Sequence, residues 1–204
     1  MVAGRILLVR HTQVAVRWSK ACYGRLDVGL SRAGQQRAGE IASELARQPI
    51  TTVVHSGLKR AAVLASRLAL LKGLVPLVDA RWRERDFGTW EGRGWHSIWR
   101  ETGNAMDGLF TEPDHYRPGG GETTAEMAAR CIAAWHSLPQ DGIVAVISHG
   151  GPIAAVRTML ASVPMRDILH YTVATGAVVS CRRGLSFVTG SQSAPARARG
   201  ARTT

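Results

Sequence analysis

The 204-residue sequence has little that would hold it in a membrane, staple it covalently or grip a metal. Its longest apolar stretches, Ile6 to Val9 and Gly142 to Ile147, fall far short of the roughly 18 residues a membrane span needs. The N-terminus has no signal-peptide layout, so no membrane partner and a cytoplasmic location are expected. Cys22, Cys131 and Cys181 are odd in number and widely separated, with no C-x-x-C spacing. That pattern suggests neither a disulfide framework nor a structural zinc site. No dense carboxylate cluster marks a magnesium site, so neither metal nor other cofactor is expected. Long basic stripes are also missing, although 26 Lys and Arg against 15 Asp and Glu give a formal charge of +11. Arg197, Arg199 and Arg202 lie in a Ser/Ala/Gly/Pro/Arg tail, and most other arginines are scattered, so nucleic acid is not the expected partner. A positive field of this kind suits a small anionic substrate.

What is present is an alternation of buried-strand and amphipathic-helix patterns. Arg5 to Val9, Thr51 to Val54, Leu74 to Val78 and Ile143 to Ile147 read as strands buried on both faces of a parallel sheet. Ser31 to Arg47 places Ala38, Ile41, Ala42 and Leu45 on one helical face behind a Ser N-cap candidate, and Leu58 to Leu71 reads as a second helix. Thr123 and Glu126 have capping-box spacing ahead of Met127, Cys131, Ala134, Trp135 and Leu138. Pro152 suits the first turn of a fourth helix. The fold class expected is α/β, a three-layer αβα sandwich with a mostly parallel central sheet. Val173 to Cys181 and Leu185 to Thr189 are expected to form a terminal hairpin. One domain should span residues 1–190, with a lid-like excursion at about 83–121 and a basic, disordered tail at 191–204.

In open α/β sheets ligands sit beyond the carboxyl ends of the strands, and the polar residues here gather there. Arg10-His11-Thr12 follows the first strand, and Ser148-His149-Gly150-Gly151 follows the fourth. Glycines at a helix start allow an anion to approach the backbone N–H groups. Lys59 and Arg60 fall in the first turn of the second helix, where cations oppose the macrodipole unless an anion intervenes. Arg60 is the better match to a phosphoryl group, because its planar fork offers two parallel hydrogen bonds, whereas Lys59 reads as a solvated surface group. Glu84, Asp86 and Glu91 compete to supply a proton to a leaving oxygen, Glu84 being nearest the strand end. Trp90, Trp95 and Trp99 read first as lid packing.

Together R-H-T at 10–12, S-x-L-x-R-A at 56–61, E-R-D-F-G-x-W-E-G at 84–92 and S-H-G-G at 148–151 resemble the histidine phosphatase superfamily, its phosphoglycerate-mutase-like branch. The resemblance implies His11 as nucleophile, with Arg10, Arg60 and a protonated His149 on the phosphoryl oxygens, and Glu84 as proton donor. Thr12 and Gln13 stand where Gly and Glu are usual, and Arg17 where many mutase relatives carry Asn. The element Cys22-Tyr23-Gly24-Arg25-Leu26-Asp27-Val28 resembles that of alpha-ribazole phosphatases, which act late in cobalamin assembly. Arg10, Thr12, Arg17, Cys22, Tyr23, Gly24, Arg60, Glu84, His149 and Gly150 are therefore the expected substrate-binding set. The implied activity is phosphomonoester hydrolysis through phosphohistidine without metal. A cofactor-dependent phosphoglycerate mutase and a catalytically inactive binding module on the same fold are the alternatives. A homodimer is compatible with the sequence.

Overall fold

The computed structural model describes residues 4–182. Its centre is a five-stranded sheet of β1 (Arg5–Arg10), β2 (Ile50–His55), β3 (Leu77–Val78), β4 (Ile143–Ser148) and β5 (Val178–Arg182), in the order β3-β2-β4-β1-β5. Every pairing is parallel except β1 with β5. Helices α1 (Arg32–Ala46), α2 (Lys59–Lys72), α3 (Trp95–Thr102), α4 (Gly108–Thr111), α5 (Thr124–His136) and α6 (Gly150–Leu160) complete the chain, with short 3-10 turns between them. No described helix is long and apolar enough to cross a membrane.

Successive strand residues point to opposite faces, and both faces here are dry. Ile6 and Leu8 of β1, Val54 of β2 and Val144 and Val146 of β4 pack on one side against Met127, Cys131 and Trp135 of α5 and Ile153 and Val156 of α6. Leu7, Val9, Val53, Ala145 and Ile147 pack on the other against Ile41 and Leu45 of α1 and Leu64 and Leu68 of α2. Double-sided burial is why these strands read as continuous apolar runs, and each fully buried Leu or Ile contributes about 1.5 to 3 kcal/mol. Ser31 caps α1 by accepting from the Gly34 amide, and Thr123 with Glu126 forms the complete capping box of α5.

Two strand expectations are corrected. The third strand shrinks to Leu77–Val78, both exposed at the sheet edge. The Leu74 amide still donates to Ala69 in the αL ending of α2, and Pro76 has no N–H to give a ladder. The last strand starts at Val178 instead of Val173, because Gly176, at φ +76°, turns the preceding chain and donates its amide to the carbonyls of Arg10 and His11. Leu185 to Thr189 and the basic tail lie outside the described residues.

The 83–121 excursion carries α3, α4 and several 3-10 turns in place of a sheet-building element. Its small core is Trp90 and Ile98 around Cys22, with Phe87, Trp95, Met106 and Tyr116 packed against it. Trp90 and Trp95 thus pack as expected, whereas Trp99 is 57% exposed and stacked on His96. Backbone bonds between Lys20 and Trp95 and between Cys22 and both Gly92 and Arg93 tie this excursion to the loop that follows β1.

Candidate active site

The carboxyl ends of β1, β2 and β4 deliver His11, Ser56 and His149 to one buried cluster. The His11 amide donates to the Ser148 carbonyl at 3.0 Å, extending the β1/β4 ladder by one residue and fixing the two histidine backbones relative to each other. Their rings lie 5.1 Å apart, centroid to centroid. Both residues are buried, as is Arg60.

His11 Nδ1 lies 2.8 Å from the Thr12 carbonyl, an oxygen that can only accept, so Nδ1 carries the ring proton and the Nε2 lone pair is free. Burial first, then the Arg60 guanidinium and more weakly Arg10, push His11 down to about 3, against the raising effect of the Thr12 bond. A neutral imidazole with a fixed tautomer follows at neutral pH.

Arg60 enters from the first turn of α2. Its Nε donates to His149 Nδ1 at 3.2 Å, Nη1 to Leu26 O at 2.7 Å and Nη2 to Gly24 O at 2.5 Å. The Tyr23 ring lies 5.0 Å from its central carbon. One proton on each terminal nitrogen stays available to an anion. Gly24, at φ +25°, sits where any Cβ would collide with Glu91 and the Arg85 carbonyl, so only glycine lets its carbonyl reach Arg60 this way. Asp27 resolves the dipole conflict at this helix start, accepting from the Lys59 amide at 2.6 Å and pairing with the Lys59 ammonium at 3.4 Å.

His149 corrects one expectation. Its Nδ1 accepts from Arg60, so its proton is on Nε2, which donates to Ser56 Oγ at 2.8 Å. Burial, then the charge of Arg60, holds it well below the ordinary histidine value, so this histidine is neutral rather than protonated. Ser56, buried and quoted in the S-x-L-x-R-A motif, received no role from sequence, yet it fixes this tautomer.

Arg10 lies against the start of α6, its guanidinium 3.1 to 3.4 Å from where a Cβ on Gly150 would fall. It donates to Val173 O at 2.5 Å, and its charge acts on the nearby Tyr23 hydroxyl. Glu84 comes from the excursion, and its carboxylate accepts from the Arg85 amide at 2.9 Å and from the Gly151 amide at 3.4 Å. This places the carboxylate at the N-terminus of α6, the helix whose N-cap is His149. Its two rivals hold the loop instead. Asp86 pairs with Arg25 at 3.2 Å and caps the Gly88 amide, while Glu91 accepts from the Arg25 and Phe87 amides.

Three other expected contact residues are placed elsewhere. The Cys22 side chain is sealed in the Trp90–Ile98 cluster, where burial pushes its thiol up to about 12, so in this structure the side chain serves packing. Thr12 Oγ1 donates to Gly34 O at 2.7 Å, a bond that ties the β1 end to α1. Arg17 is exposed on a 3-10 turn with its guanidinium over Trp18. Sequence reasoning missed Arg130 and Glu122, a partly buried ion pair behind Glu84. The only available signal was their place around the capping box at Thr123. Among the described residues, no group of three or more His, Cys, Asp or Glu side chains is placed to hold a metal ion.

Residues 6–185 match the family model of the histidine phosphatase superfamily (branch 1). Glucosyl-3-phosphoglycerate phosphatase of Mycobacterium tuberculosis (strain CDC 1551 / Oshkosh) is 31% identical over 178 residues, covering 82% of this chain and 79% of its own. The solved native mycobacterial glucosyl-3-phosphoglycerate phosphatase superposes with a TM-score of 0.78 at 28% identity, over 87% of this chain and 89% of its own. An alpha-ribazole phosphatase from Shigella flexneri has a TM-score of 0.79 over 90% of this chain and 92% of its own, at 21% identity, a likeness of fold alone.

Proposed function

The chain belongs to the histidine phosphatase superfamily, and from the geometry of its site we propose that it is a phosphomonoesterase in which His11 carries the phosphoryl group. The observation that carries this reading is the state of His11: buried, neutral, its Nδ1–H held at 2.8 Å by Thr12 O and its Nε2 lone pair free beside two arginines. Nε2 attacks phosphorus, and the phosphorus–oxygen bond to the alcohol breaks. Arg10, the free N–H groups of Arg60 and the start of α6 carry the charge on the non-bridging oxygens, and fixed donors of this kind need no reorganisation. Glu84 gives its proton to the departing alkoxide. It then takes a proton from the water that cleaves the phosphohistidine, which regenerates neutral His11. Neutral His149 keeps Arg60 and Ser56 in place and adds no charge of its own. Since two guanidinium groups supply the positive charge, turnover in EDTA is expected.

The substrate reading shifts with the site. The Cys22 to Asp27 element that resembles alpha-ribazole phosphatases is spent largely on structure: Cys22 packs, Gly24 and Leu26 present carbonyls to Arg60, and Asp27 caps α2. It describes how Arg60 is held, and any phosphoester needs that. The similarity to glucosyl-3-phosphoglycerate phosphatase supports a phosphorylated sugar acid or its glycoside as the preferred substrate class, with α-ribazole 5′-phosphate second.

Rapid-quench turnover of a radiolabelled phosphomonoester tests the reaction. An acid-labile, alkali-stable phosphoenzyme is expected in the wild type and not in His11→Ala. Turnover with no trapped label would end the reading. Isomerisation of 3-phosphoglycerate without phosphate release would replace it with the mutase alternative. A panel of glucosyl-3-phosphoglycerate, 3-phosphoglycerate and α-ribazole 5′-phosphate then ranks substrates by kcat/KM.

A further inference from the structure

Arg130 stands in the middle of α5 and divides its guanidinium between the segment that carries Glu84 and the carboxylate of Glu122. Nη1 donates to Arg81 O at 2.6 Å and Arg83 O at 2.7 Å, and Nη2 donates to Glu84 O at 3.0 Å. Nε and Nη2 take the two carboxylate oxygens of Glu122 at 2.7 and 2.8 Å. An arginine has five N–H donors in a fixed fork, and these five acceptors match them all. Glu122 is held in turn. It precedes the N-cap of α5, accepts from the Asp86 amide at 3.4 Å and pairs with Arg25 at 3.3 Å, whose other terminal nitrogen meets Asp86.

A buried ion pair is a poor way to gain stability, because desolvation offsets much of the attraction. Arg130 and Glu122, with side chains 17% and 11% exposed, are largely withdrawn from water, so the same offset applies to them, and three of their bonds go to the backbone of residues 81–84. The Glu84 side chain leaves that backbone and ends at the Gly151 amide. We infer that Arg130, gripped by Glu122, is a positioning residue for Glu84: it fixes the backbone from which the carboxyl hangs, and so the point at which a proton is handed to the leaving oxygen. The inference rests on the reading of Glu84 as proton donor.

Leaving-group dependence separates positioning from general structure. An alkyl alcohol needs a proton to depart, whereas p-nitrophenolate leaves without one. Arg130→Lys keeps the charge but offers three donors on a point cation in place of the fork. It is expected to lose about 10- to 100-fold in kcat/KM on β-glycerophosphate and less than about threefold on p-nitrophenyl phosphate. Glu122→Gln should show the same bias more weakly. Glu84→Gln should show it fully, with little added by Arg130→Lys in the double variant. Because the ratio of the two rates is taken on one preparation, it is independent of how much of the protein folds. If Glu84→Gln slows the two esters equally, the proton-donor reading falls and this inference with it. If Glu84→Gln discriminates and Arg130→Lys does not, the positioning role alone is overturned.

Discussion

The sheet end and the excursion serve the same site by different means. At the sheet end, His11 and His149 are extensions of two hydrogen-bonded strands, and Arg60 sits in the first turn of a helix packed on that sheet. Their places follow from regular structure. In the excursion, Glu84 sits in irregular backbone, fixed by an arginine from another layer and by the carboxylate of Glu122, far along the chain. The difference suggests a division of labour: the groups proposed to bind and receive phosphate are rigid by architecture, and the proposed acid is rigid only while a side-chain network holds it. Four outcomes bear on that division.

The largest effect is expected at Arg60, which belongs wholly to the sheet end. Arg60→Ala removes the charge proposed to stabilise the transition state, and a loss of about 10³-fold in kcat/KM is expected on alkyl and aryl esters alike. It also leaves His149 Nδ1 and the carbonyls of Gly24 and Leu26 without their donor, so the unfolding free energy from urea melts should fall by a few kcal/mol, at about 1 to 3 kcal/mol per orphaned group. A variant that spares aryl esters would mean that this arginine serves the leaving group, and the two regions would no longer divide the work.

Acid is the next probe. Both site histidines are held neutral, His11 down to about 3 and His149 well below its ordinary 6.5, chiefly by burial, and buried His55 shifts the same way. Below pH 6.5 the unfolded chain therefore binds protons that the native chain refuses. Stability should be complete above that value and decline as pH falls from 6.5 toward 3, by of order 1 kcal/mol per pH unit for each histidine. Carboxylates ordinarily titrate near 4, so the span from 6.5 to 5 isolates the sheet end. Urea midpoints across it should slope downward in the wild type and less steeply in His11→Asn; a flat wild-type curve would contradict the neutral-histidine assignment.

The same division explains what was legible in the sequence. Apolar runs with polar residues at their ends located β1, β2, β4, His11, Arg60 and His149, because a strand buried on both faces leaves a plain signature and a sheet orders its ends in space. The capping box and Ser31 were readable for the same local reason. The protonation of His149 was not, since it depends on Arg60 and Ser56 meeting from different elements. Nor was the sealing of Cys22, which needs Trp90 and Ile98 from the excursion. Arg130 shows the limit most clearly: its partners at 81, 83, 84 and 122 share no periodicity with it. Gly151 is where the two regions touch. A Cβ there would lie 2.5 Å from Glu84 Oε1 and 2.8 Å from Met127 Sδ, both ends of flexible side chains that can yield. Gly151→Ala should therefore fold but displace the Glu84 carboxyl, costing about tenfold in kcat on an alkyl ester. Unchanged alkyl turnover would show that the acid tolerates movement and that the excursion is less exacting than its hydrogen bonds suggest.

The smallest effect should come from Lys59, the immediate neighbour of Arg60 in the same helical turn. Its side chain is 71% exposed and its ion pair with Asp27 is open to solvent, so the pair is worth at most about 1 kcal/mol and the screened charge adds little at the site. Lys59→Ala should keep kcat/KM within about twofold and change the unfolding free energy from urea melts by no more than about 0.5 kcal/mol. Asp27→Ala is the informative companion, because its carboxylate also accepts the Lys59 amide at the start of α2, and losing a cap of this kind costs about 1 kcal/mol whatever side chain residue 59 carries. The pair of variants thus separates the ammonium from the cap. If Lys59→Ala were the costlier of the two, the positive charge at this helix start would be acting on the anion itself, and the boundary of the phosphate-holding region would have to move outward by one residue.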